Sequence, residues 1–477
     1  MATNSRSPPV HGTVKLRRAS VCAACPHVSA RGAAIAAVNA MDARLNLVIV
    51  IFPFASWVRG GERPFWMRLA RLIRCNGRAS VHGYLTVTRL ARGLNPVFAN
   101  LPTTIFTVMS GLAAEHGAIN LGQGFPDNPG PEDVRAKAAE AVMSGSNQYP
   151  PMPGLAALRQ AVAEHYGRFH GVELDWSSEV IVTSGATEAL AAAIMGLLAP
   201  GDEAVVLEPA YDSYAPQIRS VGGVARFVRL EPPHWRISRE ALERVTTPNT
   251  RIVLFNNPLN PAARVYGPEE MKVLADWCVD HDVIAVCDEV WEHLTFDGRA
   301  HVPLISLPGM RQRCVKIGSA GKIFSLTGWK VGWICAAPEL LGTIAKVHQF
   351  LTFTTAPNLQ TAVAYGLGKP DSYFEEMRET YARSRDRLER GLTQEGFKVI
   401  PSEGTYFLNI DLAASGLNLD DESFCKRAVA EAGVAAIPVS AFYESDSVRN
   451  VVRLCFAKTD ETIDKGIEGM ARARRIM

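Results

Sequence analysis

"CVKIGSAGKIFSLTGWKVGWICAA" (residues 314–337) consists of two apolar runs joined by a loop that carries two lysines. "CVKIGS" (314–319) and "VGWICAA" (331–337) have the β-branched and apolar content of buried strands. Between them, Lys322 follows two small residues and Lys330 follows a Gly-Trp pair. Lysine is rarely fully buried without a partner. Two amines in an otherwise apolar loop between two buried strands therefore ask for a bound group.

Five further runs of the same kind lie upstream: "EVIVT" (179–183), "EAVVLE" (203–208), "ARFVRL" (225–230), "RIVLFN" (251–256) and "VIAVCD" (283–288). Helical patterns are interspersed, at 155–169, 187–198 and 268–281. Strand and helix in alternation predict an α/β fold with a seven-stranded, mainly parallel sheet covered on both faces. After about residue 370 the pattern changes to a long charged helix (372–396), "TYFLNIDL" (405–412) and "VVRLCFA" (451–457), which predicts a smaller α+β domain. The expected division is a basic extension (1–95), a joining segment (96–134), a large domain (135–369) and a small C-terminal domain (370–477).

Ligands of open α/β sheets bind beyond the carboxyl ends of the strands. The polar residues that follow these strands are of distinct kinds. "SGATEAL" (184–190) is a turn at Gly185 running into a helix, whose free N–H groups at Ala186 and Thr187 suit an anion. Tyr211 offers an aromatic face, Asn260 a neutral hydrogen-bonder, Asp288 a carboxylate, and Ser319 and Lys322 close the sixth strand. Each alone has a bland reading: a turn, a helix cap, a surface lysine. Together, at one end of one sheet, they are the parts that hold pyridoxal 5′-phosphate. Its aldehyde needs an amine, its pyridine nitrogen a carboxylate and its phosphate N–H donors and a cation.

From about 96 to 474 the chain resembles the fold-type I aminotransferases of class I/II. It is most similar to the branch of kynurenine/glutamine, methionine and N-succinyldiaminopimelate aminotransferases. The motifs are "NLGQGFPD" (120–127), "NQYPPMPG" (147–154), "CDEVWEH" (287–293), the 318–333 lysine loop and "AIPVSAFY" (436–443), in the family's order. The resemblance implies that Lys322 is the Schiff-base lysine and proton shuttle and that Asp288 pairs with the pyridine nitrogen. It implies that Asn260 bonds the phenolic oxygen, Tyr211 stacks on the ring, and Ala186, Thr187, Ser319 and Lys330 cup the phosphate. Tyr149 is implied to reach the phosphate of a partner subunit in a homodimer. Gly124, Asn260 and Arg453 are implied to hold the amino-acid substrate, Arg453 through a bidentate fork to its α-carboxylate. The implied reaction moves an amino group from an L-amino acid of methionine, aromatic, glutamine or kynurenine type to a 2-oxo acid. N-Succinyldiaminopimelate transamination and β-lyase chemistry on cysteine conjugates are alternatives. A regulator with an aminotransferase-like domain is a remote one.

Three positions depart from the family pattern. Trp291, implied to be a cofactor-binding position, stands where the family has a tyrosine whose phenol bonds the cofactor's ring oxygen. Ala263 replaces a turn glycine in "NPAA", and Ile323 replaces the threonine after the lysine. Indole can donate a hydrogen bond but cannot accept one or titrate.

Charge is distributed unevenly. Residues 1–100 carry 14 Lys/Arg against two acids, Asp42 and Glu62, and the remainder carries 36 against 46. The acidic remainder gives no sign of a nucleic-acid surface. The 14-residue apolar run "LNLVIVIFPFASWV" (45–58) is too short to span a bilayer. Residues 1–95 fit a transit peptide, upstream sequence before a later start at Met41 or Met67, or a disordered arm; the second is favoured. A cytoplasmic location is expected, or an organellar one if the segment is a transit peptide. The nine scattered cysteines read as reduced thiols. "CAAC" (22–25) lacks the second ligand pair a zinc site needs, so no metal is expected.

Overall fold

The computed structural model describes residues 93–444 and 447–477. The basic extension, the 45–58 apolar run and Cys22, Cys25 and Cys75 lie outside the described residues. In chain order the strands are β1 (Ile119–Asn120), β2 (Val180–Thr183), β3 (Glu203–Glu208), β4 (Val224–Arg229), β5 (Thr250–Asn256), β6 (Ile284–Asp288), β7 (Cys314–Ser319), β8 (Gly332–Ala336), β9 (Lys398–Ile400), β10 (Phe407–Asp411), β11 (Val434–Ala435), β12 (Ile437–Pro438) and β13 (Val451–Cys455).

Seven strands form one sheet in the order β2-β8-β7-β6-β5-β3-β4. All of them fall within one residue of the predicted runs. Only β8 opposes its neighbours; it pairs antiparallel with both β2 and β7. Continuous burial along β2, β3, β6, β7 and β8 explains their unbroken apolar sequences. The edge strand β4 instead alternates in exposure and carries Arg226 and Arg229. Charge on an edge discourages pairing with another chain.

Side chains alternate between two cores, one on each face of the sheet. Val286, Val315, Ile317 and Ile334 pack with Ala189, Leu190 and Ile194 of helix Gly185–Leu197. Cys287, Cys314, Trp333 and Cys335 pack with Leu158, Val162 and Tyr166 of helix Ala156–His170. Asp288 and Ser319 continue the first set, so they point to the face where helix Gly185–Leu197 begins. Lys316 belongs to the second.

The C-terminal part contains the long helix Asp371–Gln394 and a four-stranded antiparallel sheet, β12-β13-β10-β9. β1 pairs parallel with β11, tying residues 119–120 to 434–435. The described cysteines 278, 287, 314, 335, 425 and 455 are buried and unpaired. Among the described residues, no helix is long and apolar enough to cross a membrane.

Candidate active site

A cavity of about 280 Å³ opens at the carboxyl edge of the large sheet. Gly185, Ala186, Thr187, Tyr211, Asn260, Asp288, Trp291, Ser319, Lys322 and Lys330 all line it. The topology accounts for the two lysines. The chain leaves the carboxyl edge after β7, turns, and re-enters antiparallel as β8, so both ends of the 320–331 loop open on the same edge.

Helix Gly185–Leu197 starts with Gly185 at φ +76°, and no side chain caps its first turn. Its leading N–H groups are therefore left for an anion. Lys330, itself left-handed at φ +54°, lays its chain over that turn, with Nζ 3.3 Å from Thr187 Oγ1. A Cβ on Gly185 would sit 3.1 Å from Lys330 Cε. The close approach of the cation to the turn requires glycine there. The sequence pattern places the start of this helix at residue 187, because a left-handed glycine does not look like a helical residue.

Asp288, at the end of β6, is 8% exposed. Its Oδ2 accepts a hydrogen bond from Tyr214 at 2.7 Å, and its Oδ1 has no partner. Burial raises its pKa, while the Tyr214 bond and Lys322 oppose the rise. Lys322 Nζ lies 4.6 Å from the Trp291 ring centre and 3.3 Å from the Tyr406 hydroxyl. Burial pulls this amine down to about 8 against the attraction of Asp288. Among the described lysines it is the one whose pKa is lowered to near neutrality.

Arg453, on β13, is 1% exposed and makes no ion pair. Its Nη1 donates to Asn260 Oδ1 at 2.8 Å and its Nη2 to the Gly122 carbonyl at 3.1 Å, while Nε has no partner. Burial pushes it down to about 10, so it stays charged at neutral pH. A Cβ on Gly124 would lie 2.8 Å from the Phe407 ring and 3.9 Å from Arg453 Nη2. Phe407, Phe442 and Phe106 surround the guanidinium at 3.9, 5.2 and 5.4 Å from their ring centres.

Tyr149 is not in this cavity. It is 84% exposed, stacks edge-on with Phe353 and lines a second hollow with residues 147–150 and 354–358. Trp291 packs edge-on against Tyr406, centres 4.4 Å apart, and Phe407, 5.6 Å. Ala263 adopts φ +59°, the conformation for which a turn glycine is suited. Ile323 is buried in the core. Sequence reasoning missed Tyr214, Tyr406 and Asn256. Asn256 orients Asn260 by accepting from its backbone N–H, and donates to the Asp288 carbonyl.

The donor set suits pyridoxal phosphate: an orphaned buried carboxylate oxygen, an amine whose pKa is drawn down to about 8, and an uncapped helix turn beside a lysine. Comparison with known proteins agrees. Residues 116–470 match the family of aminotransferases of class I and II, and the chain belongs to that family. It is 41% identical to methionine aminotransferase of Escherichia coli over 363 residues, 76% of this chain and 94% of the relative. It is 41% identical to a probable N-succinyldiaminopimelate aminotransferase of Mycobacterium tuberculosis over 380 residues, 77% and 96%. The solved structure of N-succinyldiaminopimelate aminotransferase from Mycobacterium tuberculosis superposes with a TM-score of 0.78, covering 80% of this chain and 100% of that one. A kynurenine–oxoglutarate transaminase of Dictyostelium discoideum is 35% identical over 410 residues, 78% of this chain and 94% of the relative. The protein is an amino-acid aminotransferase of fold type I, and its cofactor is pyridoxal 5′-phosphate.

Proposed function

We propose that this aminotransferase prefers L-amino acids with a large apolar side chain, methionine or aromatic, and passes the amino group to a 2-oxo acid. The observation that carries the preference is the aromatic wall of Trp291, Tyr406 and Phe407 beside Lys322. Lys322 and Lys330 are the cations lining the cavity, and both have roles in holding the cofactor. A second carboxylate on the donor's far end would need a further cation.

When bound, pyridoxal phosphate supplies a carbonyl that accepts the amino group and a ring that takes up electrons. Lys322 Nζ, its pKa drawn down to about 8, would lose its proton readily, attach to it and then move a proton as general base. Asp288 Oδ1 would hold the ring nitrogen's proton. Asn260 would bond the phenolic oxygen and Tyr211 cover the ring. Ala186, Thr187, Ser319 and Lys330 would bind the phosphate. Arg453 would fork onto the donor's carboxylate, with Gly124 leaving room for it. In the same reading, residues 135–369 form the cofactor domain and 370–477 the small one. The enzyme is a homodimer in which exposed Tyr149 serves the partner's phosphate.

A donor panel tests the preference: methionine, phenylalanine, kynurenine, glutamine and N-succinyl-diaminopimelate, with 2-oxoglutarate as acceptor. Half-reaction rates are read from the cofactor's absorbance. Methionine or an aromatic donor should lead in kcat/KM. A lead for the succinylated substrate would overturn the preference.

A further inference from the structure

On the face of the sheet opposite the cofactor cavity, a second polar cluster is sealed in the core. Asp288 and Trp291 face the cavity, while Glu289, Glu292 and His293 of the same turn contribute to this cluster. There they meet Lys316 of β7 and His165, Tyr166 and His170 of helix Ala156–His170. The transamination reading uses none of these side chains.

Lys316 Nζ lies 2.6 Å from Glu292 Oε2 and 3.0 Å from Glu289 Oε2. Lys316 holds both carboxylates ionised, Glu289 down at about 2, and they in turn keep its ammonium charged. Burial keeps the histidines neutral, His165 at about 4 and His170 at about 3, with His293 also lowered. Glu289 also faces the buried His301, whose Nε2 stands 3.5 Å from its Oε2, and Tyr166 donates to Glu292 Oε1 at 3.1 Å. Arg168 is taken up by Asp371, and Arg378 acts on His293 from the long helix.

Two imidazoles meet here at their Nε2 atoms. His165 Nε2 and His293 Nε2 are 2.6 Å apart, shorter than an ordinary N–H···O contact. One ligand atom from each of His165, Glu292 and His293 fits within a 4.8 Å span. His170 Nε2 has no hydrogen-bond partner and stands 3.7 Å from Glu292 Oε2, on a side chain 6% exposed. Two imidazoles, a carboxylate and a spare imidazole gathered in the buried core form a ligand set for a borderline-soft divalent cation.

We propose that His165, Glu292 and His293 bind a divalent transition metal, zinc by preference, with His170 as the fourth donor. Nitrogens on one tetrahedral zinc stand roughly 3.3 Å apart, given bonds of about 2.0–2.1 Å, so the two imidazoles would part by roughly 0.7 Å. The ion would brace the 288–293 turn against helix Ala156–His170 from behind, as a structural site distinct from the catalytic one.

The test uses the full-length holoenzyme. It is incubated with zinc chloride, freed of loose metal by gel filtration, and assayed by elemental analysis. About one equivalent per chain should be retained, as a closed structural site predicts. His293→Phe and His170→Gln should each lower zinc affinity by more than the roughly 10- to 100-fold typical of losing an outer-sphere partner. Cobalt loading gives a second readout that does not depend on the variants folding. Visible bands of tetrahedral nitrogen and oxygen ligation, without a thiolate charge-transfer band, support the assignment. Three results would overturn it: no metal retained, equal retention in the variants, or a thiolate spectrum placing the metal at cysteines.

Discussion

Tyr214 donates a hydrogen bond to Asp288 Oδ2 at 2.7 Å across 74 residues of sequence. The bond opposes the burial that would otherwise push the Asp288 proton on. In the proposed mechanism Asp288 keeps the ring nitrogen protonated, so it has to stay ionised at working pH. Tyr214→Phe removes a hydrogen bond to a charged group, worth about 1.5–3 kcal/mol. That corresponds to about 1–2 pH units. Asp288 has its pKa raised by burial, so activity is lost as pH falls, and the variant should lose it sooner. The acidic limb of the kcat/KM profile should move up by that amount while cofactor is retained. An unchanged limb would mean that Tyr214 is only a packing residue.

Lys322 should be the residue labelled when borohydride traps the cofactor's aldehyde and peptides are mapped. Label on Lys330 would reverse the two roles. The cofactor-free protein adds a pH test. With its amine at about 8, trapping of a simple aldehyde at Lys322 should rise about tenfold per pH unit below 8 and level off above it. The sign for stability follows. The folded pKa lies below the reference 10.5, so the folded state sheds the proton first. The half-buried ammonium costs stability below pH 8, and the cost is relieved as pH climbs from 8 towards 10.5. Lys322→Met should therefore stabilise the cofactor-free protein at pH 7 by up to ~3 kcal/mol, measurable by urea denaturation.

The seven large strands were legible because strands buried on both faces give unbroken apolar runs. Lys322, Lys330, Asp288 and Ser319 were legible because strand ends at one edge of a sheet must converge. The reversal of β8 was not, since an apolar run carries no direction. Nor was the pairing of Arg453 with Asn260, 193 residues apart, except through family likeness. Lys316, Glu289 and Glu292 were silent for a different reason. A buried ion network is written in the same letters as a solvated surface, and only packing distinguishes them.

Ala263 is a left-handed alanine at φ +59° with no exposed surface. Its carbonyl accepts from Glu403 and Gly404, so the turn is fixed from outside. Ala263→Gly removes a backbone penalty of roughly 1–2 kcal/mol and returns part of it as unfolded-chain entropy. A gain of about 0.5–1 kcal/mol is expected, read as a rise in the urea midpoint at constant slope. A loss of stability would show that the packing of the methyl group outweighs the strain.

Arg453 has its guanidinium 1% exposed, without an ion pair and with Nε unsatisfied, beside Asn260 and Gly124. A buried cation in that state is poised for an anion, and the α-carboxylate is common to every donor. Losing one partner of a buried hydrogen-bonded charge pair costs roughly 2–5 kcal/mol. Arg453→Ala should then lower kcat/KM about 30- to several-thousand-fold, at about 1.4 kcal/mol per decade. The fall should be similar for all donors, because the contact does not read the side chain. Arg453→Lys should recover only part, since an ammonium lacks the planar fork. Asn260 Oδ1 and the Gly122 carbonyl lose a donor in the alanine variant, so stability must be measured alongside. A variant that keeps its cofactor spectrum and melting point but loses kcat/KM assigns the loss to substrate capture. A fall of less than threefold across the donor panel would remove Arg453 from the substrate site and leave it a buried structural cation held by three phenylalanine faces.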